Sequence, residues 1–210
     1  MIGVHDLALF IVAGLLLNLT PGPDMAYIAA RGAAGGFRDG AAAVAGITTG
    51  CVVHTLAAAA GLSAVLATSA TAFEILKWCG AAYLLYAGVR LLWSGRQPAA
   101  TAPPVRRAAA RRIYREGLLI NVFNPKVALF FLAFVPQFIA ADAPAKPLAF
   151  VALGALFNFN SLFVNLPVAY LAGRAGGRLR RGVDSLKWMR RVTGGLFVLL
   201  AVRLAALSRA

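Results

Sequence analysis

GLLLNLTPGPDMAYI, residues 14–28, and GLLINVFNPKVALFF, residues 117–131, decide how this chain is read. Each is an apolar run broken at its middle, the first by Pro21, Gly22, Pro23 and Asp24, the second by Asn124, Pro125 and Lys126. A proline inside a helix removes a backbone hydrogen bond and clashes with the preceding turn, at a cost of about 3 kcal/mol. A charge near the centre of a bilayer costs a further ~2.5–3.5 kcal/mol. Penalties of that size, paired in one short stretch and then repeated, imply a use.

The two runs belong to a chain of 210 residues that is 60% apolar and 13% charged, with a mean hydropathy of +0.77. Soluble domains carry about 25% charged residues, so the composition excludes an ordinary soluble globule. A membrane-spanning helix needs roughly 20 apolar residues, and lipid obliges each span to pair its own backbone. Six segments meet that requirement, near 6–28, 40–62, 70–93, 116–139, 147–172 and 189–207. Continuous apolar runs argue against a β-barrel, whose strands alternate. The expected fold is an all-α integral membrane protein with six transmembrane helices. It forms a single domain over 1–210, with a first half to residue 94, a basic linker over 95–115 and a second half from 116.

The net charge of +14 lies between the apolar segments. Arg96, Arg106, Arg107, Arg111, Arg112 and Arg115 fill one linker; Arg174, Arg178, Arg180, Arg181, Lys187, Arg190 and Arg191 fill another. Arg31 and Arg38 mark a 28–39 loop, whereas 63–69 carries no base and 140–146 only Lys146. Basic loops remain cytoplasmic, which predicts both termini outside and the basic loops against anionic lipid headgroups. The stretch VRRAAARRIYR, 105–115, reads equally as an interfacial helix or as a solvated basic linker. No recognition motif accompanies the charge, so nucleic acid is not an expected partner. Cys51 and Cys79 lie in apolar runs without zinc or disulfide spacing, and no metal or cofactor is expected. The N-terminal MIGVHDLALF lacks the basic residue of a signal peptide and reads as a retained first helix. The small-residue face from Gly46 to Gly50 lets a neighbouring helix approach closely, and such faces leave room for a homodimer.

The two breaks fall in the first and fourth segments, the first of each three-span half. Asn18 precedes one break and Asn121 the other, at similar distances. Three spans per half reverse the direction of entry, which is the arithmetic of a 3+3 inverted repeat whose unwound segments mark a substrate site. Freed carbonyls and amides there, with Asp24 and Lys126, offer partners for the ammonium and carboxylate of a zwitterion. The candidate site is therefore Asp24, Lys126, Asn18, Pro21, Gly22, Pro23, Asn121, Asn124 and Pro125. Asp24 binds a substrate amine or takes up a proton; Lys126 holds a carboxylate or pairs with Asp24 when the site is empty. A purely structural Asp24–Lys126 bridge is the plainer alternative.

Other polar residues at membrane depth carry two readings each. His54 relays protons or rests neutral against a backbone carbonyl. Asn158 and Asn165, seven apart on one helical face ahead of Pro167, line the cavity or tie helices together. Glu74 and Lys77 read as a surface pair. No P-loop, paired metal-ligand motif or nucleophile elbow occurs, so energy would come from an ion gradient. A charge crossing 100 mV supplies about 2.3 kcal/mol. These features predict a secondary transporter of a small solute. A membrane-embedded enzyme acting on lipid or peptide would need more acids, histidines or nucleophiles than Asp24 and His54 supply. A passive channel would need charged rings or a filter sequence.

LNLTPGPDM and the basic, glycine-rich stretch after it, from Arg31-Gly32 to Gly40, resemble the lysine exporter and homoserine/threonine exporter (LysE/RhtB) family. The resemblance continues through Trp78, Gly80, Ala81, Tyr83, Leu84 and Gly88, and through Tyr114-Arg115-Glu116-Gly117 to Asn121 and NPK, covering about 20 to 140. Tyr114 stands where that family often has Phe, a mild departure. The resemblance implies export of amino acids or related metabolites across the bacterial inner membrane, coupled to the proton gradient. It lays functional weight on Pro21, Gly22, Pro23, Asp24, Asn124, Pro125 and Lys126. Members differ widely in substrate, so it does not name one.

Overall fold

The structure, a computed structural model, describes residues 3–63, 70–93, 108–140 and 142–175, with scattered positions from 191 to 202. Helix α1, Leu7–Leu19, stops where Thr20, Pro21 and Gly22 leave the helical path. Helix α2 restarts at Pro23, whose fixed φ suits a first helical position, and runs to Ala57, with a π-turn over Ala58–Leu62. Helix α3, Ala70–Trp93, is helical throughout its described length, as an apolar segment there predicts. Helix α4, Ala110–Val122, ends two residues before α5, Pro125–Leu129. A π-turn over Phe130–Phe134 and a 3₁₀ turn over Val135–Phe138 carry α5 onward. This second broken segment bends by 47° at Phe123 and Asn124. Helix α6 is Lys146–Ala175. Among the described residues the extended structure is one isolated bridge, Val4 to Ile139. Both interruptions therefore fall at the prolines that the sequence marks.

Helix α2 is not one rod. Gly36 has φ 78° and ψ −172°, and a Cβ on Gly40 would lie 3.3 Å from the Cα of Gly32. A straight helix, rising 1.5 Å per residue, would hold those two residues about 12 Å apart. The chain doubles back at Gly36, so α2 is two antiparallel arms, 23–35 and 37–57. The expected 28–39 loop shrinks to one residue, because glycine takes a positive φ without a Cβ penalty.

The linker also ends earlier than residue 116. Residues 110–115 already form the first turns of α4, with Ile113 fully buried and Arg111, Arg112 and Arg115 exposed. That end of the basic stretch is thus the beginning of α4 rather than a linker. Arg107 and the linker before it, the Lys77 side chain and most of the expected sixth segment lie outside the described residues.

The first broken segment runs antiparallel to the second along its length. Val4 meets Ile139, Phe10 stacks on Phe134, Lys126 reaches Thr20, Asp24 meets Asn121, and Arg31 meets Glu116. The 37–57 arm runs parallel to α4 and α5: Ala43 faces Gly117, Gly50 faces Asn121, and His54 stacks on Phe131. Helix α6 lies along the first broken segment, with Phe157 against Gly14 and Ala169 against Gly32. The two breaks consequently cross at one level.

Apolar packing divides at that level. One cluster holds Phe10, Phe130, Phe131, Phe134, Phe138 and Phe157; the other holds Ile28, Ala43, Val44, Ile47, Ile113 and Ala169. On its outer face α6 exposes Phe159, Phe163, Leu166 and Tyr170, a continuous apolar stripe at helical spacing. Such a stripe belongs against lipid, and α6 is long and apolar enough to cross a bilayer. The protein is an all-α membrane protein.

Close approach of the 37–57 arm to α4 depends on Gly46, where a Cβ would strike the Tyr114 carbonyl, a backbone atom with no freedom to yield. Gly46→Val is expected to destabilise by about 2 kcal/mol through overpacking. That corresponds to a fall of about 4–8 °C in the unfolding midpoint of the detergent-purified protein. Gly61→Ala, placed where a Cβ meets nothing within 4 Å, should leave the midpoint unchanged.

Candidate functional site

Where the breaks cross, each helix end leaves backbone groups that the helix itself cannot pair. Asp24 occupies the first turn of α2, where the helix N-terminus favours an anion. It is 8% exposed, and its Oδ2 accepts from Asn124 Nδ2 at 2.8 Å and from Asn121 Nδ2 at 3.2 Å. Asn124 caps α5: its Oδ1 accepts from the Lys126 amide at 3.0 Å, so both ends of this side chain are committed. Asn121 fits because Gly50 faces it; a Cβ there would lie 2.7 Å from the Asn121 Cβ.

Lys126 does not pair with Asp24. Its Nζ donates to the Leu17 carbonyl at 3.2 Å and the Thr20 carbonyl at 3.3 Å, at the C-terminal end of α1. A cation is favoured at a helix C-terminus, where carbonyls lack intrahelical partners. Gly22 leaves the passage, since a Cβ on it would sit 3.3 Å from Nζ. The structural Asp24–Lys126 bridge is therefore replaced by two separate anchorages, each across the junction between broken segments.

Asn18, Asp24, Asn121, Lys126 and Asn165 line one small polar cavity, together with Cys51 and Ser161. Its free space is about 10 Å³, the room of a single water molecule. Asn18 Nδ2, Asp24 Oδ1 and Asn121 Oδ1 are buried and have no protein partner. Pro21 and Gly22 form the linker between α1 and α2, while Pro23 and Pro125 each open the following helix.

His54 and Asn158 fall outside this lining. The His54 Nε2–H donates to the Asn121 carbonyl at 3.1 Å, the plainer of its two readings, and its ring stacks on Phe131. Asn158 is buried on α6, and its own carbonyl accepts from Ser161. A second cavity, apolar and about 580 Å³, lies on the far side of His54 among Ala58, Leu62, Ile75, Cys79 and Phe131.

Sequence reasoning passed over Ser161, although it stands three residues after Asn158 and four before Asn165, on the same helical face. It also passed over a cluster one turn from Asp24. The Tyr27 hydroxyl donates to Glu116 Oε2 at 2.8 Å, Arg31 pairs with the same carboxylate, and Arg112 Nε donates to Oε1 at 2.8 Å. A lone glutamate between Arg115 and the next apolar run was the available signal.

The family model for the LysE type translocator matches residues 15–208. The chain is 29% identical over 201 residues to a homoserine/homoserine lactone efflux protein of Salmonella typhi, covering 96% of each. It is 30% identical over 208 residues to an uncharacterized membrane protein of Pseudomonas aeruginosa, covering 97% of this chain and 96% of the relative. A leucine efflux protein of Enterobacter sp. is 29% identical over 206 residues, covering 98% and 97%. No solved structure matches. The matched length, the two efflux proteins among its relatives and the paired helix breaks lead to one conclusion: the chain belongs to the LysE type translocator family, whose members are transporters and not enzymes.

Proposed function

We propose that the protein exports an amino acid or a close derivative from the cytoplasm, driven by the proton gradient, with the substrate held between the two helix breaks. The observation that carries the site is the set of unpartnered polar atoms at the junction. Asp24 Oδ1 and Asn121 Oδ1 are acceptors suited to an ammonium; Asn18 Nδ2 is a donor suited to a carboxylate. Lys126 is the matching cation, and its hold on two carbonyls keeps it in place until a carboxylate competes. Efflux proteins among the relatives support the reading at the level of substrate class.

The antiparallel course of the two broken segments supports a 3+3 inverted repeat, in which each half contributes one break. The positive-inside pattern supports placing the Gly36 turn and the 95–115 linker in the cytoplasm of a bacterial inner membrane, with basic side chains against anionic headgroups. Asp24 is the buried acid at the site, so it is the group assigned to proton exchange. With room for one water, the cavity corresponds to a closed form that must widen to admit an amino acid.

Asp24→Asn should reach the membrane in normal amount yet reduce efflux to background in cells preloaded with dipeptides; normal efflux would remove Asp24 from the mechanism. His54→Gln keeps a donor for the Asn121 carbonyl, so its efflux should stay within about threefold of the wild type, the replaced bond being of the same strength. Abolished efflux with intact expression would restore the proton-relay role to His54.

A further inference from the structure

We propose that Tyr27, Arg31, Arg112 and Glu116 form the cytoplasmic gate of the transport path, a polar latch that opens to admit the solute to Asp24. The inference rests on the exporter reading and on the cytoplasmic placement of the Gly36 turn.

The latch joins the same two segments that build the site. Tyr27 and Arg31 lie three and seven residues beyond Asp24 on the 23–35 arm, about one and two turns toward Gly36. On α4, Glu116 and Arg112 precede Asn121 by similar steps, so the cluster sits over the site on one side only. The Tyr27 hydroxyl donates to the Ile113 carbonyl at 3.0 Å as well as to Glu116, and Arg31 Nε donates back to that hydroxyl at 3.1 Å. The Arg31 guanidinium also lies 5.2 Å from the centroid of the Tyr27 ring. Arg31 is buried, Glu116 is about one-third exposed at 32% and Arg112 is 74% exposed, so the latch grades from the protein interior to water.

The opposite side of the site is closed in another way. Phe10, Phe130, Phe131, Phe134, Phe138 and Phe157 pack there ring against ring, with the exposed His5–Asp6 pair beyond Phe138. Separating that cluster would expose a broad aromatic surface; parting the latch uncovers the smaller aliphatic cluster around Ile28, Ile47 and Ile113, while its charged groups exchange one another for water. The polar side is thus the one that opens at lower cost from the aqueous phase. Its moving part is bounded as well. The 23–35 arm is helical between two non-helical points, the break at 20–22 and the turn at Gly36, which are the places where a hinge absorbs backbone change.

Cys51 offers a native reporter, since it lines the polar cavity and is 3% exposed. In a Cys79→Ser background, a membrane-impermeant maleimide is applied to inside-out vesicles and the rate of Cys51 labelling is followed. Glu116→Gln and Arg31→Gln should each raise that rate about tenfold, the factor for weakening the latch by one decade in its closing equilibrium. Labelling from the outer face, in right-side-out vesicles, should not change. Unchanged rates in both variants, or a rise of equal size from both faces, would overturn the gate and leave the cluster a structural staple. No transported solute is needed, so this result is read independently of the efflux assay that tests the exporter reading.

Discussion

A buried carboxylate held by two amides from the second broken segment is the constraint around which this structure is arranged. Asp24 cannot stand alone at membrane depth, and Asn121 and Asn124 reach it only because the second broken segment crosses the first at its own break. Shifting either segment by one turn, about 5.4 Å, would leave the carboxylate facing apolar side chains and the asparagines without an acceptor. The crossing is set by close approach elsewhere. Gly50 admits Asn121, Gly117 admits the Ala43 carbonyl, and Gly32 and Gly40 seat against Ala169. Small residues along the α2 arms are therefore part of the site, although none of them carries chemistry.

Each break solves the other's backbone problem. Carbonyls at the end of α1 are met by Lys126, which follows the second break; the carboxylate at the start of α2 is met by Asn121, which precedes that break, and by Asn124, which lies in it. Two interruptions that would be costly singly become a mutual arrangement of polar groups in a dry interior. Mutual satisfaction is incomplete, and what remains unpaired is an acceptor pair and a donor facing one small space. A protein interior seldom leaves such groups idle.

Much of this was legible in the sequence. Prolines inside apolar runs located both breaks, and the apolar segment over 70–93 marked the helix α3. Matching positions of Asn18 and Asn121 pointed to the residues that line the cavity. The Gly36 turn was not legible, because a glycine-rich basic stretch has the composition of a loop, whereas a single positive φ suffices to reverse two helices. Lys126 was drawn toward Asp24 by charge alone; the competing attraction of orphaned carbonyls at a helix end leaves no trace in sequence. That Tyr27, Arg31 and Glu116 meet escaped notice because it depends on the antiparallel register of segments about 85 residues apart, which no local pattern encodes.

Whether the substrate lies between the two breaks is measured most directly by a structure of the protein with a transported amino acid bound. Density for the amino acid is expected between the segments, its ammonium within hydrogen-bond distance of Asp24 Oδ1 and its carboxylate at Lys126 or Asn18. Substrate density in the apolar cavity beyond His54, with Asp24 and Lys126 keeping the partners they have here, would contradict that placement.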